Sequence, residues 1–173
     1  QELPSGGTVT SGTATIGQSG NDMTINQSTR GAIIDWGSFS IGSGYGVTFN
    51  QPTDGVTLNR VVGFGYGQSA SVIDGRLTSN GTVFLINTAG ITIGGGATIN
   101  VGGLIASTIN MSNADFNAGL ASSNFAFTGG STEDVTNYAN FTVAAGGTVA
   151  LLGQNVSNFG DISAPGGTVA FGA

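Results

Sequence analysis

Cysteine and histidine are absent from this 173-residue sequence, the only basic residues are Arg30, Arg60 and Arg76, and proline occurs three times. Without His or Cys there is no Ser-His-Asp or Cys-His arrangement and no zinc site of the usual kind. Charged residues make up 7% of the chain, where roughly 25% is typical. Three arginines against nine acids leave a net charge of −6, so no basic patch exists to neutralise phosphates. Nucleic acid and anionic membrane surfaces are therefore poor partners. No apolar run approaches the ~20 residues of a membrane-spanning helix, and the alternating runs, near five residues long, fall short of the ~10-residue strands of a membrane barrel. The lack of Cys suits any compartment, and suits especially a chain that crosses an oxidising space unfolded, since no disulfide could lock it early. A charged segment followed by an apolar one is missing at the start, so any secretory signal is expected to have been removed or never to have been present.

Glycine is abundant, at 32 residues, and 39% of the chain is apolar, which argues against disorder. Helix signals are nearly absent; Ser112–Ser123 could form a short loop or a single turn. Elsewhere short β-branched runs alternate and are broken by Gly, Asn, Ser or Asp, as in Thr8–Thr10, Thr13–Ile16, Met23–Asn26, Ala32–Trp36, Val47–Asn50, Val56–Leu58, Thr82–Ile86, Ile91–Ile93, Ala97–Val101 and Leu104–Ile109. The fold class is all-β.

Gly146-Gly147-Thr148-Val149-Ala150 recurs 20 positions later as Gly166-Gly167-Thr168-Val169-Ala170, with Asn140-Phe141 and Asn158-Phe159 ahead of the two copies. Weaker echoes occur at Gly6–Thr10, Gly81–Val83 and Gly96–Ile99. A period near 20 with several short strands per repeat is the signature of a β-solenoid, whose turns bury a common core only when stacked. Gly and Asn would form the corners, and corner Asn side chains could stack into hydrogen-bonded ladders. A β-sandwich is the rival: it expects a hairpin at Asn80-Gly81 but does not explain the long-range repeat. The irregular strands of residues 1–26 are expected to cap the first turn, residues 27–139 to form core rungs with extra-helical strands or loops, and residues 140–173 to form regular rungs leading into a further C-terminal extension. The chain as a whole reads as one domain.

Carboxylates are the one remaining catalytic resource. Asp35, Asp54 and Asp74 are 19 and 20 positions apart, so a coil of that period could align them as polysaccharide-cleaving β-helices align theirs. Thr53-Asp54-Gly55 and Ile73-Asp74-Gly75 nevertheless read as turns, and Glu133-Asp134 as a solvated loop. Gly94–Gly96 precedes no helix and has no Lys near it, so it reads as a corner and not a phosphate loop. Trp36 reads as core or cap packing. Asn26, Asn80, Asn110, Asn140 and Asn155 each begin an Asn-X-Ser/Thr triplet, as a Thr-, Ser- and Asn-rich chain produces by chance. No cofactor or metal site emerges, and these residues support a scaffold or recognition surface over an enzyme.

The order of motifs is more informative than any one of them. Leu3–Gly7, Ile33–Phe39, Val47–Pro52, Leu58-Asn59-Arg60-Val61, Gly75–Asn87 and Gly102–Thr108 follow one another in a single run. This order resembles the N-terminal secretion domain of two-partner-secretion exoproteins, the filamentous-haemagglutinin-like family, and its high-molecular-weight-adhesin branch in particular. The resemblance implies a right-handed parallel β-helix with an N-terminal cap. It also implies a secreted or surface-exposed exoprotein addressed, through the periplasm, to a cognate outer-membrane β-barrel transporter whose POTRA domains read the unfolded domain. Host-cell receptors would belong to the full-length protein; the domain itself is expected to be a monomer that does not insert in membranes. The family's Asn-Pro-Asn-Gly-Ile motif corresponds to Asn87-Thr88-Ala89-Gly90-Ile91, with the Pro and second Asn missing. Asn59, Arg60, Val61, Asn80, Gly81, Asn87, Gly90 and Ile91 are the candidate recognition and structural-motif residues. The alternatives are direct adhesion to a host glycan or protein, and a polysaccharide-active β-helix enzyme.

Overall fold

The computed structural model describes residues 2–65 and 67–173; Gln1 and Tyr66 lie outside the described residues. Among the described residues the chain forms β1 (Thr8–Ser11), β2 (Ala14–Ser19), β3 (Asp22–Gln27), β4 (Gly31–Trp36), β5 (Gly46–Asn50), β6 (Val56–Val61), β7 (Ser71–Ile73), β8 (Arg76–Ser79) and β9 (Thr82–Ile86). It continues with β10 (Ile91–Ile93), β11 (Thr98–Asn100), β12 (Gly103–Ser107), α1 (Asn113–Ser122), β13 (Val135–Asn137), β14 (Phe141–Thr142), β15 (Thr148–Leu152), β16 (Val156–Asn158), β17 (Ile162–Ser163) and β18 (Thr168–Gly172).

Among the described residues three larger sheets and a two-stranded parallel one, β14 with β17, wrap one core. One carries β4, β6, β9, β12, β15 and β18 in that order; a second carries β3, β5, β8 and β11; a third carries β7, β10, β13 and β16. The chain visits the faces in turn and returns beside its previous pass, which makes a parallel β-solenoid. Two antiparallel pairings stand at the N-terminal end, β1 on β4 and β2 on β3. They cover backbone that a bare first rung would leave unpaired. Because β3 is also the first parallel strand of its sheet, the coil already begins inside the 1–26 segment that the sequence marks as cap.

The turns are not of one length. Val56 faces Gly31 and Thr82, which are 25 positions before and 26 after it, whereas Thr82 faces Gly103 and Thr148 faces Thr168, at offsets of 21 and 20. Between these, Leu104 faces Val149 because the chain leaves the coil and returns. Two of the weaker echoes are therefore not register-equivalent. Gly6–Thr10 runs antiparallel, and Gly96–Ile99 leads into β11 on the second face. The frame ahead of the repeat also shifts: Asn158 faces Asn137, and Phe141 faces Ile162. Local corner chemistry repeats in sequence, but inward side chains decide which positions stack.

Inside the coil, columns such as Val83–Leu104–Val149 and Met23–Val47–Leu77–Ile99 alternate with outward residues at the period of two that strands impose. The last rung leaves Val169 and Phe171 about half exposed. A second apolar cluster lies outside, where Ile33, Leu58, Phe84 and Ile105 are covered by Met111, Phe116, Leu120, Phe125 and Phe127 of the excursion. Helix α1 is ten residues long, more than the single turn that its sequence suggests. Its apolar periodicity is weak, so its stability comes from caps and packing. Ser112 Oγ accepts from the Asp115 N–H, and Ser123 closes the C-terminus in a left-handed conformation. The Arg30 guanidinium donates to the Leu120 carbonyl at 2.6 Å. Gly31 lies directly beneath the helix, where a Cβ would come within 2.2 Å of Leu120 Cδ1 and the leucine side chain would have to shift.

Phe116 is fully buried and edge-on to Phe84, with ring centroids 6.0 Å apart. Phe116→Ala is expected to cost about 3–5 kcal/mol, read as a lowered urea midpoint. Tyr138→Ala, at an exposed ring stacked on Phe159, should cost less than about 1.5 kcal/mol.

Candidate functional site

Asn59 lies in β6, where the strand's alternation turns its side chain into the coil between Ile34 and Leu85 of the adjacent turns. It is fully buried and fully bonded. The Trp36 indole N–H donates to Asn59 Oδ1 at 3.0 Å, and Asn59 Nδ2 donates to the Phe84 carbonyl at 3.1 Å. Trp36 packs edge-on against Phe39. A Cβ on Gly7 of the cap would lie 2.6 Å from its ring, so the indole joins cap to coil as core packing. Arg60 points the other way, pairing with Asp35 at 2.8 Å and donating to the Met111 carbonyl at 3.0 Å. It thereby holds the entrance of the excursion to the sheet, as Arg30 holds α1's end. Val61 turns inward again.

Asn87 ends β9 and opens the corner before β10. Its carbonyl accepts from the Gly90 N–H at 3.1 Å, and its Oδ1 accepts from the Ala89 N–H at 2.9 Å. This is a four-residue turn with Asn first and Gly last, as such turns favour, and it forms without the family's Pro. Gly90 has φ +118°, a value that favours glycine. Asn87 Nδ2 donates to Ser69 O and Ser71 Oγ, both at 2.9 Å, tying this corner to the turn below. Ile91 resumes the core beside Ser71 and Val135.

Asn80 and Gly81 form the corner between β8 and β9. These strands lie in different sheets, so the pair is not the hairpin that a sandwich would need. Asn80 is bonded twice to the main chain of Gln51, and Gln51 Oε1 accepts from the Gly81 N–H. Gln51 Nε2 reaches Thr57 Oγ1 and the Thr82 carbonyl, and Thr57 donates to Gln27. Gln27, Thr57 and Gln51 were not singled out by sequence reasoning. The signal for Gln27 and Thr57 is a polar residue at a buried strand position; Gln51 follows the last residue of β5 and carries no such signal.

The structure thus brings Asn59–Val61 alongside Leu85–Asn87 on adjacent turns, and places Asn80–Gly81 at the opposite end of β9. Asn59, Val61, Asn87, Gly90 and Ile91 are buried, Arg60 and Gly81 half-buried, and Asn80 exposed. Asp35, Asp54 and Asp74 do not share a column. The first turns are longer than 20 residues, so Asp35 faces Arg60. Asp54 sits in a turn with φ +57°, and Asp74 borders Gly94 at another corner. Gly94–Gly96 forms the turn from β10 to β11, and Glu133-Asp134 lies exposed in a loop, where Asp134 accepts from Asn155.

Polar motif residues built into the corners and core of a capped parallel β-solenoid define a structural module, and among the described residues no group of three or more carboxylates comes together. Comparison with known proteins places this module more closely. The sequence model of the TPS secretion domain matches residues 1–173, and the chain belongs to that family. It is similar to the secretion domain of HMW1 from Haemophilus influenzae, with TM-score 0.86 and 38% identity over 98% of this chain and 44% of that one. Two heme/hemopexin-binding proteins of Haemophilus influenzae are 47% and 48% identical over 109 and 99 residues, or 62% and 56% of this chain. The aligned segments are 12% and 10% of those relatives' lengths. Domains of this family belong to exoproteins that pass through the periplasm to the cell surface, and they engage a cognate outer-membrane transporter. Family and fold are those of a non-enzymatic secretion module.

Asn59→Asp tests the buried amide. Burial disfavours the charged carboxylate, so the folded form holds its proton to higher pH than the unfolded chain does. The variant is expected to approach wild-type stability in acid, where a protonated carboxyl can still donate to Phe84. It should lose stability as pH rises through the raised folded value, read from urea midpoints in acidic and neutral buffer.

Proposed function

We propose that this domain directs its exoprotein to an outer-membrane β-barrel transporter by being read while unfolded, and that its cap and first turns start β-helix folding at the cell surface. One observation carries the reading: five of the eight motif residues, Asn59, Val61, Asn87, Gly90 and Ile91, are buried in the folded domain. A partner that recognises their side chains must meet them before the coil closes. An unfolded strand with uncommitted N–H and C=O groups can add to the edge of a partner's sheet, which suits short alternating segments such as β6 and β9 and suits POTRA domains as the reader. With no Cys in the chain, no disulfide stands in the way of threading. Two relatives are named for heme and hemopexin binding; a like cargo is proposed for the rest of the exoprotein, with the present domain, which lacks His and Cys, as its address. Residues 1–26 are proposed as the cap, 27–139 as core rungs with extra-helical strands or loops, and 140–173 as regular rungs.

The test is binding of the purified domain to the transporter's POTRA fragment, before and after refolding, together with secretion of the exoprotein from cells. The expected result is capture of the unfolded chain only, weaker capture for Asn59→Ala and Asn87→Ala, and loss of secretion without the barrel. Equal binding by the folded domain, with unimpaired secretion of both variants, would overturn the reading. Binding of the folded domain to host cells without any role in export would favour adhesion instead.

A further inference from the structure

Asn80-Gly81 is the sole Asn-Gly pair in the sequence, and the fold dictates both residues. A Cβ at position 81 would lie 2.4 Å from the Gly55 carbonyl oxygen and 2.8 Å from Gln51 Oε1, while a Cβ on Gly102 of the next turn would lie 2.7 Å from the Gly81 oxygen. Only glycine fits this stack of corners. At position 80 a carboxamide is needed, because its two ends pair with one backbone unit: Asn80 Oδ1 accepts from the Gln51 N–H at 2.8 Å, and Asn80 Nδ2 donates to the Gln51 carbonyl at 2.7 Å. The coil therefore demands the dipeptide in which an Asn side chain is least shielded from the next backbone nitrogen, since glycine places no side chain in the way.

We propose that Asn80 is a deamidation site that is open in the unfolded chain and closed by folding, so that conversion at this corner marks chains that fold late. In the unfolded chain the Gly81 backbone nitrogen attacks Asn80 Cγ. The new N–Cγ bond closes a five-membered succinimide, the Cγ–Nδ2 bond breaks, and the proton from the Gly81 nitrogen leaves with ammonia. Water then opens the ring at either carbonyl, giving aspartate or isoaspartate at position 80, with no change in oxidation state. Folding blocks the first step in two ways. The Gly81 N–H is engaged by Gln51 Oε1 at 3.1 Å, and the carboxamide is clamped against Gln51's main chain, unable to turn toward the nitrogen.

Conversion also prevents closure afterwards. An aspartate at 80 has no N–H to offer the Gln51 carbonyl, and a carboxylate oxygen would face that acceptor instead. Isoaspartate adds a methylene to the main chain between β8 and β9. The Thr82 register opposite Val56 and Gly103 could not then be kept. The consequence for export rests on the proposed passage of an unfolded chain; the chemistry at Asn80 does not.

The experiment holds the purified chain in urea and in native buffer at one pH and temperature, and follows each asparagine by peptide mass spectrometry. Because reaction in the native state requires opening, Asn80 is expected to convert roughly tenfold or more slowly when folded, while the other asparagines lag behind it in urea. Equal rates in the two states, or earlier conversion of another asparagine in urea, would overturn the proposal. Gln51→Ala, where circular dichroism shows it folded, should raise the native rate at Asn80; should it not fold, the wild-type comparison decides alone. Chains aged in urea and returned to native buffer should lose refolding yield in step with isoaspartate content. Full refolding of isoaspartate-bearing chains would remove the marking role. None of these readouts involves a transporter, so failure here leaves the export reading to its own test.

Discussion

Each strand of a parallel coil hydrogen-bonds to strands a full turn away in sequence, so no rung completes its backbone pairing until its neighbour has been laid down. The features of this domain follow from that constraint. The first rung has no predecessor, and β1 and β2 supply one by folding back antiparallel onto β4 and β3. The corners bring the main chain of each turn close against a carbonyl of the turn before, which is why Gly147 and Gly167 sit where a Cβ would lie 2.1 and 1.9 Å from the carbonyl below. The outer face of the first sheet, too apolar to face water, is covered by the segment that leaves the coil between β12 and β13; Arg60 anchors that segment near its start and Arg30 anchors it at the end of α1.

Register is the second consequence. Columns of Val, Leu and Ile tolerate a slip of two positions along the strand, because apolar contacts are not directional. Buried amides and hydroxyls do not tolerate it, since an unpaired buried polar group costs about 1–3 kcal/mol. The early turns carry such pins at several levels. Gln27, Thr57 and Gln51 link three strands, Trp36–Asn59–Phe84 crosses the core, and Asn87 ties its corner to Ser69 and Ser71. Later turns carry a simpler ladder in which Asn137 Nδ2 donates to Asn158. Among the described residues every buried side-chain nitrogen and oxygen has a partner, so the pins fix register without leaving unbonded groups inside.

The coil itself was legible because its last two turns are nearly identical, with Thr148–Ala150 facing Thr168–Ala170 residue for residue. The longer early turns were not. Their extra residues sit in corners, where composition repeats but spacing does not, and the 19- and 20-residue spacing of the aspartates was therefore a coincidence. Helix α1 was underestimated because its sequence has little amphipathic pattern; its stability lies in Phe116 packing on Phe84, a contact distant in sequence. The candidate motif residues were legible as a set through the resemblance. Their individual roles were not, since nothing in Asn59 alone says that it faces inward to meet an indole. Gln51, the hub of the corner network, was hidden because a glutamine beside a proline looks like any loop.

Under the proposed secretion role, one set of side chains serves two states in succession. In the unfolded chain Asn59 and Asn87 are exposed amides on segments free to join a partner's sheet. In the folded domain the same amides are consumed as register pins. Binding by the transporter and closure of the coil then compete for the same groups, so each turn that closes withdraws part of the recognised segment. Cap formation involves Gly7 against Trp36, and Trp36 in turn bonds Asn59. Closing the first turns thus removes Asn59 from the partner before later turns are built. On that proposal, release is coupled to folding through the groups that take up Asn59, the Trp36 indole and the Phe84 carbonyl, and directionality needs no energy source beyond the burial that stabilises the coil.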